Sequence, residues 1–289
     1  MTTSNTRLGI LLMMATMLVF SVQDAISRHL AGEYNTLMVV MIRYWFFAAF
    51  VLTVACRSPG GIRAVAKTEQ PMLQMVRGAV LAIEICIMVL GFVLLGLVES
   101  HAIFAANPLI IAALSGPILG EKVGWRRWAA IAVGFVGIMI ILQPGQNVFS
   151  LAAVVPIIAT TLYATYGILT RLAARKDTTA TSFFWTGTVG AVVMTTIGIW
   201  FWEPMSPHDW VWMSCLCVTG VVGHWLLIKC YEVAEASAVQ PFAYLHLVFA
   251  SFLGVTIFGE MVRPTLIIGA GLIIGAGLFT LWRARQVQS

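Results

Sequence analysis

Long apolar segments recur along this chain, and each is about long enough to cross a lipid bilayer. A helix needs about 20 apolar residues to span the ~30 Å hydrocarbon core. Because these apolar segments are continuous, they favour helices over the alternating strands of a barrel. Hydrophobic residues make up 60% of the 289 and charged residues only 10%, whereas soluble domains carry roughly 25% charged residues. The sequence predicts an all-α polytopic membrane protein with ten transmembrane helices near 8–30, 36–56, 72–95, 100–119, 125–143, 149–171, 181–202, 210–230, 237–258 and 264–282.

The positively charged residues are distributed unevenly between alternate connections, and this asymmetry orients the predicted helices. Cytoplasmic connections of membrane proteins collect Lys and Arg. With a cytoplasmic N-terminus, fourteen of the seventeen Lys and Arg residues lie on the cytoplasmic side and only Arg28 and Arg263 lie outside. This bias requires an even number of spans, so both termini are predicted to be cytoplasmic. It also accounts for the net charge of +5, so no nucleic-acid partner is needed to explain that charge. The apolar spans make the lipid bilayer the expected partner.

The connections and the cysteines argue against several other classes of protein. The longest connection, 57–71, is too short for a soluble domain. The chain lacks a glycine-rich phosphate loop ending in Gly-Lys-Ser/Thr, so ATP binding of that kind is not predicted. The five cysteines lie within or at the ends of spans and are interpreted as small packing residues. We expect no disulfide framework, metal site, catalytic residue or cofactor.

Two stretches of the chain echo each other and predict an internal repeat. Glu-Ser-His-Ala at 99–102 opens an apolar run that ends in Gly-Glu at 120–121, and Glu-Ala-Ser-Ala at 235–238 opens one that ends in Gly-Glu at 259–260. A glycine-rich span follows each run. The alternative is a chance similarity between apolar helices. A true repeat divides the chain into two five-helix units of one structure, 1–146 and 147–289.

A repeat unit with an odd number of spans enters the membrane upside down the second time. Inverted repeats of this kind, related by an axis in the membrane plane, are typical of secondary transporters with a substrate site near the bilayer midplane. The sequence therefore predicts two inverted five-helix repeats around a central cavity.

The chain resembles the drug/metabolite transporter superfamily, EamA type, over nearly its whole length. The resemblance rests on ten short-looped spans, on Arg43 inside the second span, and on an Ala-rich helix ending in Gly-Glu before a Gly-rich helix, present twice. The stretch PFAYLHLVFASFLG at 241–254, together with Glu260, looks like the ninth helix of such proteins. The resemblance implies that the third, fourth, eighth and ninth helices line a central cavity. It also implies export of small metabolites, with bacterial amino-acid exporters among the most similar members.

Ionisable side chains at bilayer depth are the first candidates for function, because inserting one costs at least ~2.5–3.5 kcal/mol. Asp24 in the first span and Arg43 in the second lie at a similar depth, which predicts a structural or gating ion pair. Arg28, one turn beyond Asp24, is a rival partner. The other interpretation of Arg43 is contact with a substrate carboxylate.

Four further polar residues are predicted to bind the amino and carboxyl groups of a substrate. Glu84 lies near the middle of the third span, where it either lines the cavity or donates one packing hydrogen bond as a neutral acid. His224 and His246, in the eighth and ninth spans, either contact a substrate or satisfy a backbone carbonyl. Asn107 precedes Pro108 inside the fourth span, where the proline frees a carbonyl for another partner.

Aromatic residues deep in the membrane are predicted to hold the apolar part of the substrate. Tyr163, Trp185 and Tyr244 lie too deep for the interfacial aromatic belt. Tyr244 and His246 are two positions apart, which turns them roughly 200° from each other on a helix. We therefore expect only one of these two to face the cavity.

The leading hypothesis from the sequence is a secondary transporter that exports neutral or aromatic amino acids across the bacterial inner membrane by alternating access. We expect a monomer or a weak homo-oligomer. A second hypothesis is efflux of toxic cations or drugs, which requires Glu84 or Asp24 to be unpaired. An intramembrane enzyme or a sensor is a remote third, because the connections are short and no catalytic cluster or output domain is evident.

Overall fold

The computed structural model describes residues 6–119, 124–142, 151–234 and 239–288, which form α-helices, two short 3-10 segments and no β-strand. The helices are α1 Thr6–Glu33, α2 Thr36–Arg57, α3 Gly61–Ala66, α4 Pro71–Leu95, α5 Leu97–Phe104, α6 Asn107–Leu119, α7 Trp125–Leu142, α8 Leu151–Ala173, α9 Thr179–Gly198, α10 Pro207–Val233, α11 Leu245–Phe258 and α12 Pro264–Gln288. The 3-10 segments are Ile199–Phe201 and Gln240–Tyr244. Gly120, Glu121, Glu235 and the predicted boundary between units at 146–147 lie outside the described residues.

Seven helical segments in the described part of the chain are long and apolar enough to cross a membrane. Two other apolar helices, Trp128–Leu142 and Pro264–Thr280, are shorter. Large apolar side chains such as Val192, Trp200 and Phe252 cover the outside of the bundle, as lipid contact requires. The chain is therefore a helical, polytopic membrane protein, as predicted. The count of ten spans stays a prediction.

The predicted fourth span, 100–119, consists of two helices, α5 and α6, with a turn at Ala105 and Ala106 between them. Pro108 has no N–H and cannot donate to a carbonyl in the preceding turn. The N–H of Ala106 bonds to the Ile103 carbonyl at 3.0 Å, a tighter closure than in an α-helix. The break therefore follows from the Asn-Pro pair.

A single residue, Gly96, connects α4 to α5. Its φ of +95° lies in the region that side chains of L-residues rarely adopt. Its N–H bonds to the Phe92 carbonyl at 3.2 Å and so ends α4. The turn places the start of α5 beside the end of α11, where Glu260 contacts it.

Helices from the two predicted units pack against each other in pairs. The most extensive contacts join α1 to α10, α4 to α8, α2 to α9 and α7 to α12. In addition, α1 contacts α11, and α8 contacts α5 and α6. If each of the first five predicted spans is replaced by its counterpart among the second five, and the reverse, the same set of contacting pairs results. The α1–α10 pair, for example, becomes the α8–α4 pair.

Candidate functional site

A cavity of about 30 Å³ lies between α2, α4 and α10. Such a space holds only about one or two water molecules, so the cavity has to widen to admit a metabolite. The walls are mainly apolar, with two basic side chains among them. The lining residues are Arg43, Tyr44, Phe47, Leu81, Ile85, Cys217, Gly220, Val221 and His224.

The two basic residues of the cavity offer complementary hydrogen-bonding groups. The Nδ1 atom of His224 lies 2.8 Å from the Gly220 carbonyl, and a carbonyl only accepts, so this nitrogen donates. A neutral His224 therefore keeps Nε2 as an acceptor. Arg43 supplies only donors. Arg43 forms no ion pair within 4.0 Å among the described residues, so its guanidinium is available to a ligand.

Two more polar atoms near the cavity are buried and without a hydrogen-bond partner among the described residues. They are the hydroxyl of Tyr44 and the Oε1 atom of Gln23. Gln23 approaches within 3.3 Å of the point where a side chain at Gly220 would begin. Buried polar groups are nearly always satisfied in native proteins. These two atoms are therefore suitable partners for a bound molecule.

Aromatic rings surround His224 on several sides. Phe20, Phe47 and Phe183 have ring centroids 5.3, 6.0 and 6.1 Å from that of His224. Phe47 and Phe183 also contact each other edge to face at 4.9 Å. Such an arrangement provides ring faces and edges on which a planar ligand can stack.

Asp24, His101 and His246 form a second polar cluster, which we name the Asp24 cluster. The Nε2 atoms of both histidines lie 3.0 Å from Oδ2 of Asp24. The three side chains come from α1, α5 and α11, and the two ring centroids are 4.6 Å apart. All three ligand atoms lie within 4.8 Å of one another, which makes these residues a possible metal-binding group. The expected absence of a metal site followed from the positions of the cysteines. The convergence of these three residues, from helices distant in sequence, is visible only in the folded chain.

The predicted ion pair between Asp24 and Arg43 is not formed. Asp24 bonds to two histidines, and Arg43 lies in the cavity wall. The rival partner, Arg28, pairs instead with Glu260. Equal depth along two helices does not determine which way each side chain points around its own helix, so depth alone could not identify the partner of Asp24. The alternative interpretation, Arg43 available to a substrate, agrees with this placement.

Glu260 holds three groups together in what we call the Glu260 latch. Its carboxylate pairs with Arg28 and accepts the backbone N–H groups of Leu97 and Val98, each at 2.8 Å. The guanidinium of Arg28 also stacks over Phe258 at 4.0 Å. The latch connects α1, the start of α5 and the end of α11, and it lies one turn from the Asp24 cluster.

Arg77 centres a third polar group, the Arg77 cluster, toward the other end of the bundle. Only 1% of Arg77 is exposed, although the sequence placed it with the cytoplasmic charges. Its guanidinium donates to Gln74, Tyr166 and Thr170, and to the carbonyl of Ser182. These partners are all uncharged. The cluster joins α4 to α8 and α9.

Asp177, between α8 and α9, extends the Arg77 cluster into the connection. It accepts hydrogen bonds from the Thr68 hydroxyl at 2.5 Å and from Gln74 Nε2 at 2.8 Å. Partial burial tends to raise the pKa of this carboxyl, but these hydrogen bonds outweigh burial and lower the pKa. Asp177 therefore remains ionised at neutral pH.

Several predicted site residues lie near the cavity or at the helix break without lining the cavity. Glu84 is buried on α4, with Arg43 and Asp24 within electrostatic range. The Oδ1 atom of Asn107 is buried and has no hydrogen-bond partner among the described residues. The hydroxyl of Tyr244 packs against Gly277 of α12. His246 points toward Asp24, so neither of these two residues lines the cavity.

The two other predicted aromatic residues lie elsewhere. Tyr163 packs against Phe104 and Tyr166, with ring centroids 5.0 and 6.1 Å away. Trp185 donates its indole N–H to the Ala66 carbonyl at 3.0 Å and does not line the cavity. It lies only two turns from the start of α9, so its indole reaches the connection after α3.

The sequence pattern did not single out His101, Gln23 or Glu260 as site residues. A histidine four residues into the predicted fourth span, near the depth of Asp24, was a usable signal for His101. In the sequence, Glu260 is only the acidic residue of the second Gly-Glu pair, at a span end. It does cap a helix, but that helix is α5 and is distant in sequence, which no local pattern reveals.

The sequence matches the EamA-like transporter family twice, at residues 7–143 and 150–282. It is 25% identical over 281 residues to the S-adenosylmethionine uptake transporter of Rickettsia prowazekii, covering 97% of this chain and 95% of that protein. It is 26% identical to the riboflavin transporter of Vibrio cholerae, with 96% and 94% covered. It is 22% identical to the pseudopaline exporter CntI of Pseudomonas aeruginosa, with 96% and 97% covered.

The fold is also found among solved structures. One crystal structure superposes with a TM-score of 0.65 at 18% identity and covers 100% of this chain and 99% of the other. This likeness concerns the fold alone. The named relatives indicate a small-molecule transporter rather than an enzyme. None of the three is named for amino-acid export, which remains an expectation from the sequence.

Proposed function

The chain belongs to the EamA-like transporter family, and on that premise we propose that it carries a heteroaromatic metabolite across the bacterial inner membrane. S-adenosylmethionine is the first candidate. The single observation that supports this proposal is the pairing, in one aromatic-walled cavity, of a free donor, Arg43, with a free acceptor, the Nε2 atom of His224.

A purine ring is recognised through both donors and acceptors on its edge and through stacking on its faces. The exocyclic amine of adenine donates, which suits Nε2 of His224. The ring nitrogens accept, which suits the hydroxyl of Tyr44. Phe20, Phe47 and Phe183 around His224 offer the stacking surfaces.

The charges near the cavity favour S-adenosylmethionine among heteroaromatic metabolites. Arg43 matches the carboxylate of its amino-acid portion. Glu84 lies buried on α4 between Leu81 and Ile85 of the cavity wall, and its carboxyl would balance the sulfonium or the ammonium if a bound cation ionises it. Aromatic faces also attract cations of this kind. The Rickettsia relative is named for uptake of this compound, which supports the same cargo here.

Riboflavin is the second candidate, because a flavin ring also carries one N–H donor flanked by carbonyl acceptors. That pattern would use His224 and Arg43 in the same way, without a role for Glu84. The Vibrio relative supports it. Neutral and aromatic amino acids and cationic drugs, expected from the sequence, are smaller or lack the donor–acceptor edge, and they enter the experiment as competitors.

We propose that transport proceeds by rocking of two inverted five-helix units around the cavity. The exchange symmetry of the helix pairs and the two separate family matches support this division. The Glu260 latch and the Arg77 cluster both join helices of different units, toward opposite ends of the bundle, so they are suited to close the cavity alternately. The cavity forms within one chain, which supports a single chain as the transport unit.

Uptake of radiolabelled S-adenosylmethionine into proteoliposomes tests the proposal. We expect saturable flux that excess unlabelled S-adenosylmethionine abolishes and that phenylalanine does not. Inhibition by riboflavin with flux of riboflavin itself would favour the second candidate. Flux of amino acids alone would contradict both.

Matched variants connect the flux to the cavity. Arg43→Gln removes the carboxylate partner, and we expect at least about a tenfold loss in kcat/KM, the equivalent of one charge-assisted hydrogen bond of roughly 1.5–3 kcal/mol. The control is His208→Gln, which alters an exposed histidine outside the cavity. Equal flux of the Arg43 variant and the control would contradict the assignment of the cavity.

A further inference from the structure

We propose that the Asp24 cluster is a binding site for a divalent transition-metal ion, with zinc as the best fit. The site lies outside the substrate cavity, and the structure supplies three convergent ligands for it: Nε2 of His101, Nε2 of His246 and Oδ2 of Asp24. The orientation of the His101 imidazole and the separation of the ligand atoms support this assignment.

The backbone determines the tautomer of His101. Its Nδ1 atom lies 2.9 Å from the Leu97 carbonyl, and since a carbonyl only accepts, Nδ1 carries hydrogen. Phe92 stacks on the ring with centroids 5.1 Å apart and planes 5° from parallel. His101 is 2% exposed and therefore held in place. A histidine whose Nδ1–H is bound to a carbonyl presents Nε2 as a metal ligand, the usual arrangement around protein-bound metals.

The facing atom is also an acceptor. Oδ2 of Asp24 lies 3.0 Å from Nε2 of His101, and with hydrogen already on Nδ1 these two atoms bring two lone pairs together unless a cation, either a proton or a metal ion, lies between them. A proton would satisfy this single pair. The structure adds a third ligand to the same point, because Nε2 of His246 also lies 3.0 Å from Oδ2. Convergence of three ligands is what a metal ion requires and is more than a proton needs.

The distances agree with coordination. Zinc binds imidazole nitrogen and carboxylate oxygen at about 2.0–2.2 Å, so two ligand atoms of one ion lie roughly 3.0–3.5 Å apart. Both separations from Asp24 are 3.0 Å, and the two histidine nitrogens are within 4.8 Å of each other. A modest rotation of the His246 ring closes that last separation.

The donor set identifies the class of ion. Two imidazoles and one carboxylate are borderline ligands, which suit zinc and its neighbours and disfavour Ca²⁺ and Mg²⁺. Three protein ligands leave a fourth position for water. The ion would also compensate the charge of Asp24, since Arg28, one turn away, is occupied by Glu260 and Arg43 lies in the cavity wall.

Bound metal would connect both predicted units at one end of the bundle. Asp24 and His101 belong to the first unit and His246 to the second, and the Glu260 latch lies one turn away. An ion held by α1, α5 and α11 would therefore keep this end closed and slow the carrier. This consequence rests on the proposed function, whereas binding of the metal does not.

Zinc titration of the purified, chelator-treated full chain in lipid nanodiscs, followed by calorimetry and by elemental analysis after washing, tests the site. We expect one zinc ion per chain and a higher unfolding temperature with zinc. His101→Gln should weaken zinc binding by more than about 100-fold, because loss of even an outer-shell partner typically costs 10–100-fold. The control His208→Gln should bind like the unaltered chain.

For a second variant, His246→Gln, we expect the same loss of zinc affinity. This variant keeps the test decisive if His101→Gln fails to fold. Bound Co²⁺ provides an independent signature, since its visible spectrum reports coordination by nitrogen and oxygen. Unchanged zinc affinity in both variants would overturn the proposal, and so would a chain that takes up no zinc. Normal zinc binding with unaltered S-adenosylmethionine flux would overturn only the closure of the bundle end.

Discussion

The carboxylate of Glu260 accepts the backbone N–H of Leu97 at 2.8 Å, although 163 positions separate the two residues. The first N–H groups of a helix have no partner within that helix, and a carboxylate there is favoured by the helix dipole. A residue at the end of α11 thus caps α5. This contact connects the two predicted units at one end of the bundle.

Replacing Glu260 with Gln should destabilise the protein. The amide oxygen still accepts one N–H, but the ion pair with the half-buried Arg28 is lost, and about 1–3 kcal/mol is expected for an unpaired buried group. Thermal unfolding in detergent measures the change. Glu69→Gln is the control, because its pair with Lys176 is exposed and should contribute at most about 1 kcal/mol. Equal losses of stability in the two variants would mean that the Glu260 latch contributes no more than an exposed ion pair.

Gly96→Ala should also lower stability. The φ of +95° costs an L-residue about 1–2 kcal/mol, and a Cβ there would lie 2.8 Å from the carboxyl carbon of Glu260. Gly271→Ala in α12 is the control, because a Cβ at that position meets nothing within 4 Å. We expect the control to unfold at or slightly above the temperature of the unaltered chain. A stable Gly96 variant would show that the α4–α5 turn has another conformation.

Arg77→Lys should be among the most damaging conservative substitutions. An ammonium group has three donors and lacks the planar fork, so it cannot satisfy the four partners Gln74, Tyr166, Thr170 and the Ser182 carbonyl together. We expect a loss of about 3 kcal/mol or more, typical of a broken buried network, visible as a large drop in unfolding temperature. Arg126→Lys changes an exposed arginine and should be nearly neutral. Tolerance of Lys at position 77 would contradict the buried placement.

The lowered pKa of Asp177 predicts a pH dependence of stability. A carboxyl whose pKa is lower in the folded state stabilises the protein above its unfolded pKa of about 3.9, and this contribution disappears as pH falls through the folded value. The difference in unfolding temperature between the unaltered chain and Asp177→Asn should therefore shrink on acidification from neutral pH. A difference that is constant across this range would exclude the hydrogen bonds from Thr68 and Gln74 as its cause.

Labelling of single cysteines tests the predicted orientation. Cys56 is exposed near the end of α2, which the charge distribution places on the cytoplasmic side. With the other four cysteines replaced by Ser, an impermeant thiol reagent should label Cys56 only after the cells are opened. Arg263→Cys in a cysteine-free chain should be labelled in intact cells. The reverse pattern would place both termini outside.

The candidate site was predictable only in part, and the failures share a cause. His246, His224 and Arg43 were selected because ionisable groups in apolar spans are costly, and all three lie among the polar groups inside the bundle. Their partners were not predictable. Arg43 was expected to pair with Asp24, yet these side chains point to different neighbours. Arg77 was counted among the cytoplasmic charges, yet Gln74 and Tyr166 enclose it inside the bundle.

Composition and the order of apolar segments along the chain are enough to establish a bundle of membrane helices of a known transporter family. Partition into a bilayer depends on the summed transfer free energies of consecutive residues, and that sum can be taken along the chain. The folded arrangement of the helices was needed to see that Asp24 meets His101 and His246, that Glu260 caps α5 and that Arg43 faces a cavity. Each of these contacts depends on how helices distant in sequence rotate and tilt against one another, and no local free energy specifies that.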